Sequence, residues 1–321
     1  MVDIDLFTEG HPFHLYDECR ENAPVLFHDS AEYDVDPGFW SLTRYEDIQY
    51  VSMNPKIFSS QLCTGTLMTL GEEERRHPKL WRSSIDHMLN LDGDLHINLR
   101  REHMPFFKPG YVEELHKKVK VKVTELLDVI APMGSCNLVH RFSQQLPIFT
   151  LSEILGIPES DRQKLVSWME FLELAQHFQV ESYRKELAGE TAATPDENMI
   201  AMFNAMVDEM FEYGRDILIK KRQNPDNDLL SAIANAELQG EKLSDEFLDG
   251  SWLLIIFAGN DTTRNTLSGA IKLLTEFPSQ KEKLLANMGL LPNFVQESIR
   301  MISPVIHMRR TSTQEATIGE Q

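Results

Sequence analysis

Between the turn signal Asn224-Pro225-Asp226-Asn227 and Pro278, the chain carries a proline-free run that can satisfy its backbone as one long helix. Ser244 stands where a helix N-cap is wanted, and Asp245 and Glu246 follow beside the positive helix end. The run reaches Phe277, which at 1.5 Å per residue is roughly 50 Å of helix. Midway along it lies Ala258-Gly259-Asn260-Asp261-Thr262-Thr263. Glycine inside a helix costs roughly 1 kcal/mol relative to alanine. A buried carboxylate needs partners, and threonine competes for the helix's own backbone hydrogen bonds. Residues this unfavourable in the longest helix of a chain mark a site.

On a 100° wheel Ser251, Leu254, Ala258, Asp261, Thr262, Asn265 and Gly269 share one face, while Leu253, Ile256, Leu267, Ile271 and Leu274 point the other way. A face of small and polar side chains lets a flat ligand or a second backbone come close. Gly259 beside Thr262 is also where the helix could bend or loosen its ladder. The plainer reading puts Asp261 and Thr262 in solvent. The apolar run Trp252 to Ala258 just before them argues against it, because such a run is expected to be buried.

The rest of the chain is expected to be mainly α with small β elements. Helices are expected over 13–22, 45–53, 95–107, 112–130, 138–155, 161–178, 199–222, 229–238 and 292–301. A short strand is expected over 39–43, strand-like stretches over 306–318, and a long covering loop from Ser59 to Asn90. Hydrophobic residues make up 42% of the 321 and charged residues 25%, ordinary values for a globular chain. The net charge of −19 opposes a sequence-independent grip on nucleic acid or anionic lipid. The longest apolar run is too short for a bilayer span, so no membrane anchor is expected. Acids near the N-terminus oppose a secretory signal, so a cytoplasmic location is expected. Cys19, Cys63 and Cys136 are widely spaced and form no CxxC pair, so neither a disulfide framework nor a zinc site is indicated.

Two further groups are ambiguous by themselves. Glu297 and Arg300 are three apart, a spacing at which helix neighbours pair, and such pairs occur on many exposed faces. His96 and Arg100, with Arg101, His103 and Lys108, concentrate positive charge in an acidic chain, as Arg309-Arg310 does near the other end. Arginine presents a planar fork to carboxylate or phosphate. A solvated basic face explains the same residues equally well.

The order of these pieces resembles the cytochrome P-450 superfamily of haem-thiolate monooxygenases. It runs from the Ala-Gly-x-Asp-Thr-Thr helix to a Glu-x-x-Arg helix and then to Pro304-Val305 and Arg310-Thr311. His96-x-x-x-Arg100, the run Trp40 to Asp47 and Phe58-Ser59-Ser60 add to the resemblance, which extends over one domain spanning 1–321. The segments 259–265 and 307–311 look most like soluble bacterial members that act on alkanes, sterol side chains or terpenes.

The resemblance implies haem b as cofactor, with Ala258 and Gly259 against it and His96, Arg100 and Arg310 on its propionates. Thr262 would hydrogen-bond the iron-bound peroxo group and Asp261 would relay protons from solvent. Glu297 and Arg300 would form a buried structural network on the proximal side. The loop 59–90 and the segment 178–198 would cover the substrate channel. O2 and a hydrophobic small molecule (alkane, fatty acid, terpene or steroid) would be the substrates. Electrons would come from a ferredoxin and its NAD(P)H-dependent reductase, with Arg101 and Lys108 able to help dock the ferredoxin.

The family's iron ligand is a cysteine in a Phe-x-x-Gly-x-x-x-Cys-x-Gly loop downstream of the Glu-x-x-Arg helix. None of the three cysteines stands in that frame; before Cys63, Ser59 replaces the glycine and Lys56 the phenylalanine. The thiolate's electron donation drives O–O cleavage in this chemistry. The chain is therefore expected to be a fragment of a monooxygenase, inactive by itself, or a truncated helical protein that binds an apolar ligand or haem without turnover. An all-α terpene synthase is opposed by Arg264 and Ser268, which stand where its magnesium motif needs Ser or Thr and then Glu. A di-iron bundle needs two Glu-x-x-His helices, and only Glu113-Glu114-Leu115-His116 is present.

Overall fold

The computed structural model describes residues 4–7, 10–29, 38–61, 77–191 and 196–321. The chain divides into two compact units, one of Met1–Ile97 with Arg309–Gln321 and one of Asn98–Met308.

In the first unit α1 (Phe13–Asn22) stops before Pro24, and β1 (Val25–Asp29) then pairs antiparallel with β2 (Gly38–Leu42), Val25 opposite Leu42. Gly38 has φ +145°, and a Cβ there would strike the His28 carbonyl and the Phe27 ring. Only glycine fits. After α2 (Tyr45–Met53), β3 (Phe58–Ser59) pairs antiparallel with β6 (Thr311–Ser312). Thr313 extends that pairing by donating its backbone N–H to the Ile57 carbonyl at 2.8 Å and its hydroxyl to the Lys56 carbonyl at 2.8 Å. Of the covering loop expected over 59–90, residues 62–76 and with them Cys63 lie outside the described residues. The rest contains α3 (Pro78–Ser83) and a 3-10 turn, Met88–Asn90.

Asp92 holds the start of that loop. Its carboxylate accepts from the Ser59 hydroxyl at 2.5 Å and from the backbone N–H groups of Ser60 at 2.9 Å and Gln61 at 3.2 Å. Burial pushes its pKa up, the three donors outweigh burial, and the carboxyl sits below the usual carboxylate range.

The helix α4 (Gly93–His103) carries residues of both units. The second unit then consists of α5 (Pro109–Ile130), a π-turn at Val139–Ser143, α6 (Gln145–Leu155), α7 (Arg162–Leu187), α8 (Glu197–Gln223), α9 (Leu229–Asn235), α10 (Asp245–Glu276), α11 (Pro278–Ala286) and α12 (Leu291–Ile302). Its core is built on α10. Trp252, 1% exposed, lies over Gly214 of α8, where a Cβ would stand 2.6 Å from the indole, and donates its Nε1–H to the Met210 carbonyl at 3.1 Å. Trp168, Phe211, Leu155, Leu230 and Ile233 are fully buried with it. At the edge of this core Arg215 grips the buried Asp249 with two donors, Nε to Oδ1 at 2.9 Å and Nη2 to Oδ2 at 2.6 Å.

Several expected boundaries move for identifiable reasons. The helix expected over 138–155 is broken into the π-turn and α6, because Pro147 has no N–H to bond the Ser143 carbonyl and its ring would crowd that position. The helix expected over 229–238 ends at Asn235. Gln239 and Gly240 both take positive φ, +57° and +85°, which turns β4 (Glu237–Leu238) back onto β5 (Glu241–Lys242) as a tight hairpin. Pro278 ends α10 as expected and also opens α11, since proline suits the first helical position. The helix expected to end at Phe178 continues to Leu187, and of the strand-like stretch 306–318 only Thr311–Ser312 is strand. Among the described residues no helix is long and apolar enough to cross a membrane.

Candidate functional site

The helix α10 is capped as expected, with the Ser244 hydroxyl accepting from the Phe247 N–H at 3.2 Å, and it runs unbroken through Gly259 to Glu276. The bend that Gly259 and Thr262 make possible is not taken in the regular ladder. Gly259 serves packing: a Cβ there would approach Leu151 Cδ1 of α6 to 2.7 Å. Gly269 does the same against Ile302 of α12.

The side chains of α10 change character at this point. Phe247 to Leu254 and Ile256 are buried. Ala258 and Asn265 are exposed, and Asp261 and Thr262 are intermediate. The small face of the wheel is therefore open along its middle turns, while Ser251 and Leu254 upstream on the same face are covered.

Thr262 donates its hydroxyl to the Ala258 carbonyl at 3.0 Å, the i−4 bond by which a helical threonine satisfies itself. Rotation about χ1 frees that proton for another acceptor, because the carbonyl keeps its own ladder bond. Asp261 is held more firmly. Its Oδ1 accepts from Arg264 Nη2 at 2.5 Å and its Oδ2 from Asn265 Nδ2 at 3.2 Å. Arg264 in turn reaches Glu173 of α7 through Nη1. The result is a carboxylate–guanidinium–carboxylate chain whose central cation is 15% exposed and whose Asp261 is 42% exposed. Both ends of the guanidinium are used, so Asp261 cannot turn toward another partner without loosening Arg264.

Asn260 is the unusual member. It is 1% exposed, and neither its Oδ1 nor its Nδ2 has a partner among the described residues. Leaving a buried polar group unmatched costs about 1–3 kcal/mol. Asparagine in a helix of this composition gives no sign of burial in sequence, and neither do Arg264 and Glu173 of their connection, which joins residues 91 positions apart.

The basic residues are placed as follows. In the first unit His96 donates Nδ1–H to the Met88 carbonyl at 3.1 Å; a carbonyl can only accept, so Nε2 is the nitrogen left for another partner. Arg310, of the same unit, is half-buried and donates Nη1 to the Arg309 carbonyl at 2.7 Å. In the second unit Arg100 is exposed on α4 and has no acidic partner among the described residues, while Arg101 bonds Asn98 at 3.2 Å.

Glu297 and Arg300 were expected in a buried network and are instead exposed, 59% and 65% by side chain. They pair with each other across the helix surface, Nε to Oε2 at 2.7 Å and Nη2 to Oε1 at 2.6 Å, and Arg300 Nη2 also donates to Met301 Sδ at 3.0 Å, while α12 turns its other face, with the buried Ser298, inward. The hydrogen bond from Arg300 keeps the Glu297 carboxyl below its ordinary range.

Comparison with known proteins places these features. The family model described as Cytochrome P450 matches residues 121–321. Linalool 8-monooxygenase of Pseudomonas putida is 28% identical over 99% of this chain and 74% of its own length. Methyl-branched lipid omega-hydroxylase of Mycobacterium tuberculosis is 29% identical over 92% of this chain and 65% of its own. Among solved structures, Mycobacterium marinum cytochrome P450 CYP268A2 in complex with pseudoionone superposes with TM-score 0.76 and 30% identity over 95% of this chain and 70% of that one. The chain belongs to the cytochrome P450 family.

The family's cofactor is haem b. Arg100 is a cation without an acid partner among the described residues, His96 has a ring nitrogen to spare, and the exposed Ala258 offers a flat ring little obstruction. Of the three cysteines, Cys19 lies in α1, Cys136 is exposed before the π-turn, and Cys63 lies outside the described residues.

Proposed function

We propose that the chain carries the oxygen-activating helix of a haem-dependent monooxygenase that inserts one atom of O2 into a hydrophobic substrate, an alkane, fatty acid, terpene or steroid. It is read as one cytochrome P450 domain spanning 1–321. The observation that carries the reading is the open middle of α10, where Thr262 has a hydroxyl proton bonded only to its own helix and Asp261 is tethered beside it. The names of the relatives, a linalool monooxygenase and a lipid hydroxylase, support the substrate class.

In this reading His96, Arg100 and Arg310 bind the haem propionates, and Ala258 and Gly259 form the wall against its distal face. Bound haem supplies the binding and reduction of O2. Thr262 then rotates from the Ala258 carbonyl and donates its hydroxyl hydrogen bond into the groove. Asp261 releases one oxygen from Arg264, takes a proton from solvent on it and passes that proton to Thr262 Oγ1 through water. Arg264 and Glu173 hold that carboxylate between turnovers. Glu297 and Arg300 are structural. A ferredoxin and its NAD(P)H-dependent reductase deliver electrons, and the exposed Arg101 suits an acidic ferredoxin. The setting is the cytoplasm.

The test is Thr262→Ala in a haem-loaded parent enzyme that carries the family's cysteine loop. Substrate binding should persist while a larger share of NAD(P)H consumption ends as peroxide; unchanged coupling to product would remove Thr262 from the mechanism.

A second reading, binding of an apolar ligand or haem without turnover, is favoured by one observation: none of Cys19, Cys63 and Cys136 stands in the family's cysteine frame. The 321-residue chain loaded with haem, reduced and exposed to carbon monoxide should then lack a thiolate-type Soret band. Appearance of that band would show that one of the three cysteines ligates iron.

A further inference from the structure

The reading above leaves Asn260 unused. It is the residue between the packing glycine and the acid, and it is almost fully buried, with a donor and an acceptor that meet no protein partner among the described residues. Its neighbours on α10 solve the same problem locally: Thr262 and Thr266 give their hydroxyls to the carbonyls four residues back. A carboxamide offers two N–H donors and a separate acceptor, and none of them takes that bond here.

Asn260 follows the glycine that brings α10 against Leu151 of α6, and the π-turn Val139–Ser143 also packs on α10. The last residue of that turn, Ser143, is fully buried and likewise has no partner for its hydroxyl among the described residues. Helical serines elsewhere in the unit, such as Ser298 and Ser167, bond the carbonyl four back. Native interiors rarely leave such groups unmatched, and where protein atoms do not serve, ordered water does. A π-turn widens the helix locally and is itself a frequent mark of a functional segment.

We propose that the carboxamide of Asn260, buried and unmatched on α10, is a binding site for ordered water. The water fixes the rotation of α10 about its axis at Gly259 and thereby aims Asp261 and Thr262. Asn260 is a positioning residue, and its catalytic consequence rests on the function proposed above. The water site and the rigidity of the helix do not.

The experiment compares the haem-loaded wild type with Asn260→Leu and Asn260→Ser. Leucine keeps the volume and removes both polar atoms; serine can satisfy itself on the Ile256 carbonyl and guards against a variant that fails to fold. A crystal structure at a resolution that shows water should place density within hydrogen-bond distance of the Asn260 amide, and that density should be absent in both variants. Amide hydrogen exchange over 258–264 should quicken in both, and peroxide should take a larger share of turnover although the substrate-binding constant holds.

Absence of water beside Asn260, or wild-type exchange over 258–264 in Asn260→Ser, would overturn the proposal. So would a raised melting midpoint in Asn260→Leu together with unchanged exchange, since that would mean an unmatched amide had simply been removed. If water and exchange behave as expected while Thr262→Ala leaves coupling intact, the proposed chemistry fails and the water site stands.

Discussion

The two halves of α10 follow opposite rules within one continuous helix. From Phe247 to Ile256 the polar groups are matched: Asp249 has Arg215, Trp252 has the Met210 carbonyl, and the apolar side chains lie in the core. From Ala258 to Gly269 the face is small and partly open, threonines bond their own helix, and Asn260 is buried with no partner among the described residues. The first half contributes stability through area and completed hydrogen bonds. The second half keeps reactive groups available at some cost to stability, and it persists because the first half and the glycine contacts hold it in place. Polar residues with spare bonding capacity are what such a separation leaves at a site.

Substitutions should divide along the same line. Trp252→Ala removes the largest buried side chain of the first half and is expected to cost about 3–5 kcal/mol, read as a lowered urea midpoint and poor retention of haem. Arg215→Ala leaves the buried Asp249 carboxylate without both of its donors and should cost about 1–3 kcal/mol. Asp249→Asn in the same background should recover part of that loss; no recovery would mean that the pair matters for packing and not for charge.

Gly259→Ala belongs to the boundary. The added Cβ meets the end of the Leu151 side chain, so the cost should fall near the low end of about 1–3 kcal/mol, and Leu151→Ala should relieve it in a double-mutant cycle. Thr262→Ala, in the open half, should change stability by less than about 0.5 kcal/mol while it shifts turnover toward peroxide. A loss as large as that of Trp252→Ala would erase the distinction between the halves. Glu297→Ala should have the smallest effect on the melting midpoint, since the pair it breaks is exposed on α12.

Much of this division could be read in the sequence wherever one residue type decides the outcome. Ser244 and Pro278 set the start and the end of α10 as their chemistry requires, while the run Trp252 to Ala258 is buried only in part, with Ile255 and Phe257 intermediate and Ala258 exposed. Less legible were features that depend on what faces a residue. The spacing of Glu297 and Arg300 is the same in an exposed pair as in a buried one, and only the packing of α12 decides between them. The reach of Arg264 to Glu173 depends on the approach of α7, and the burial of Asn260 on what packs over α10, which no local pattern encodes. Pro147 did carry the signal for the π-turn, through the hydrogen bond it cannot make.

The pairing of β3 with β6 gives the first unit a seam of a different kind. Thr313 bonds Lys56 across 257 positions of sequence, so this small sheet cannot close until the second unit has been made. At about 5–20 residues per second on the ribosome, that is a wait of roughly 10–50 s. Through that interval β3 is an unpaired edge, the kind of surface that invites wrong partners. The order of synthesis therefore makes the N-terminal unit the last to finish, with its strand joined by a segment that arrives from the far side of every helix in the second.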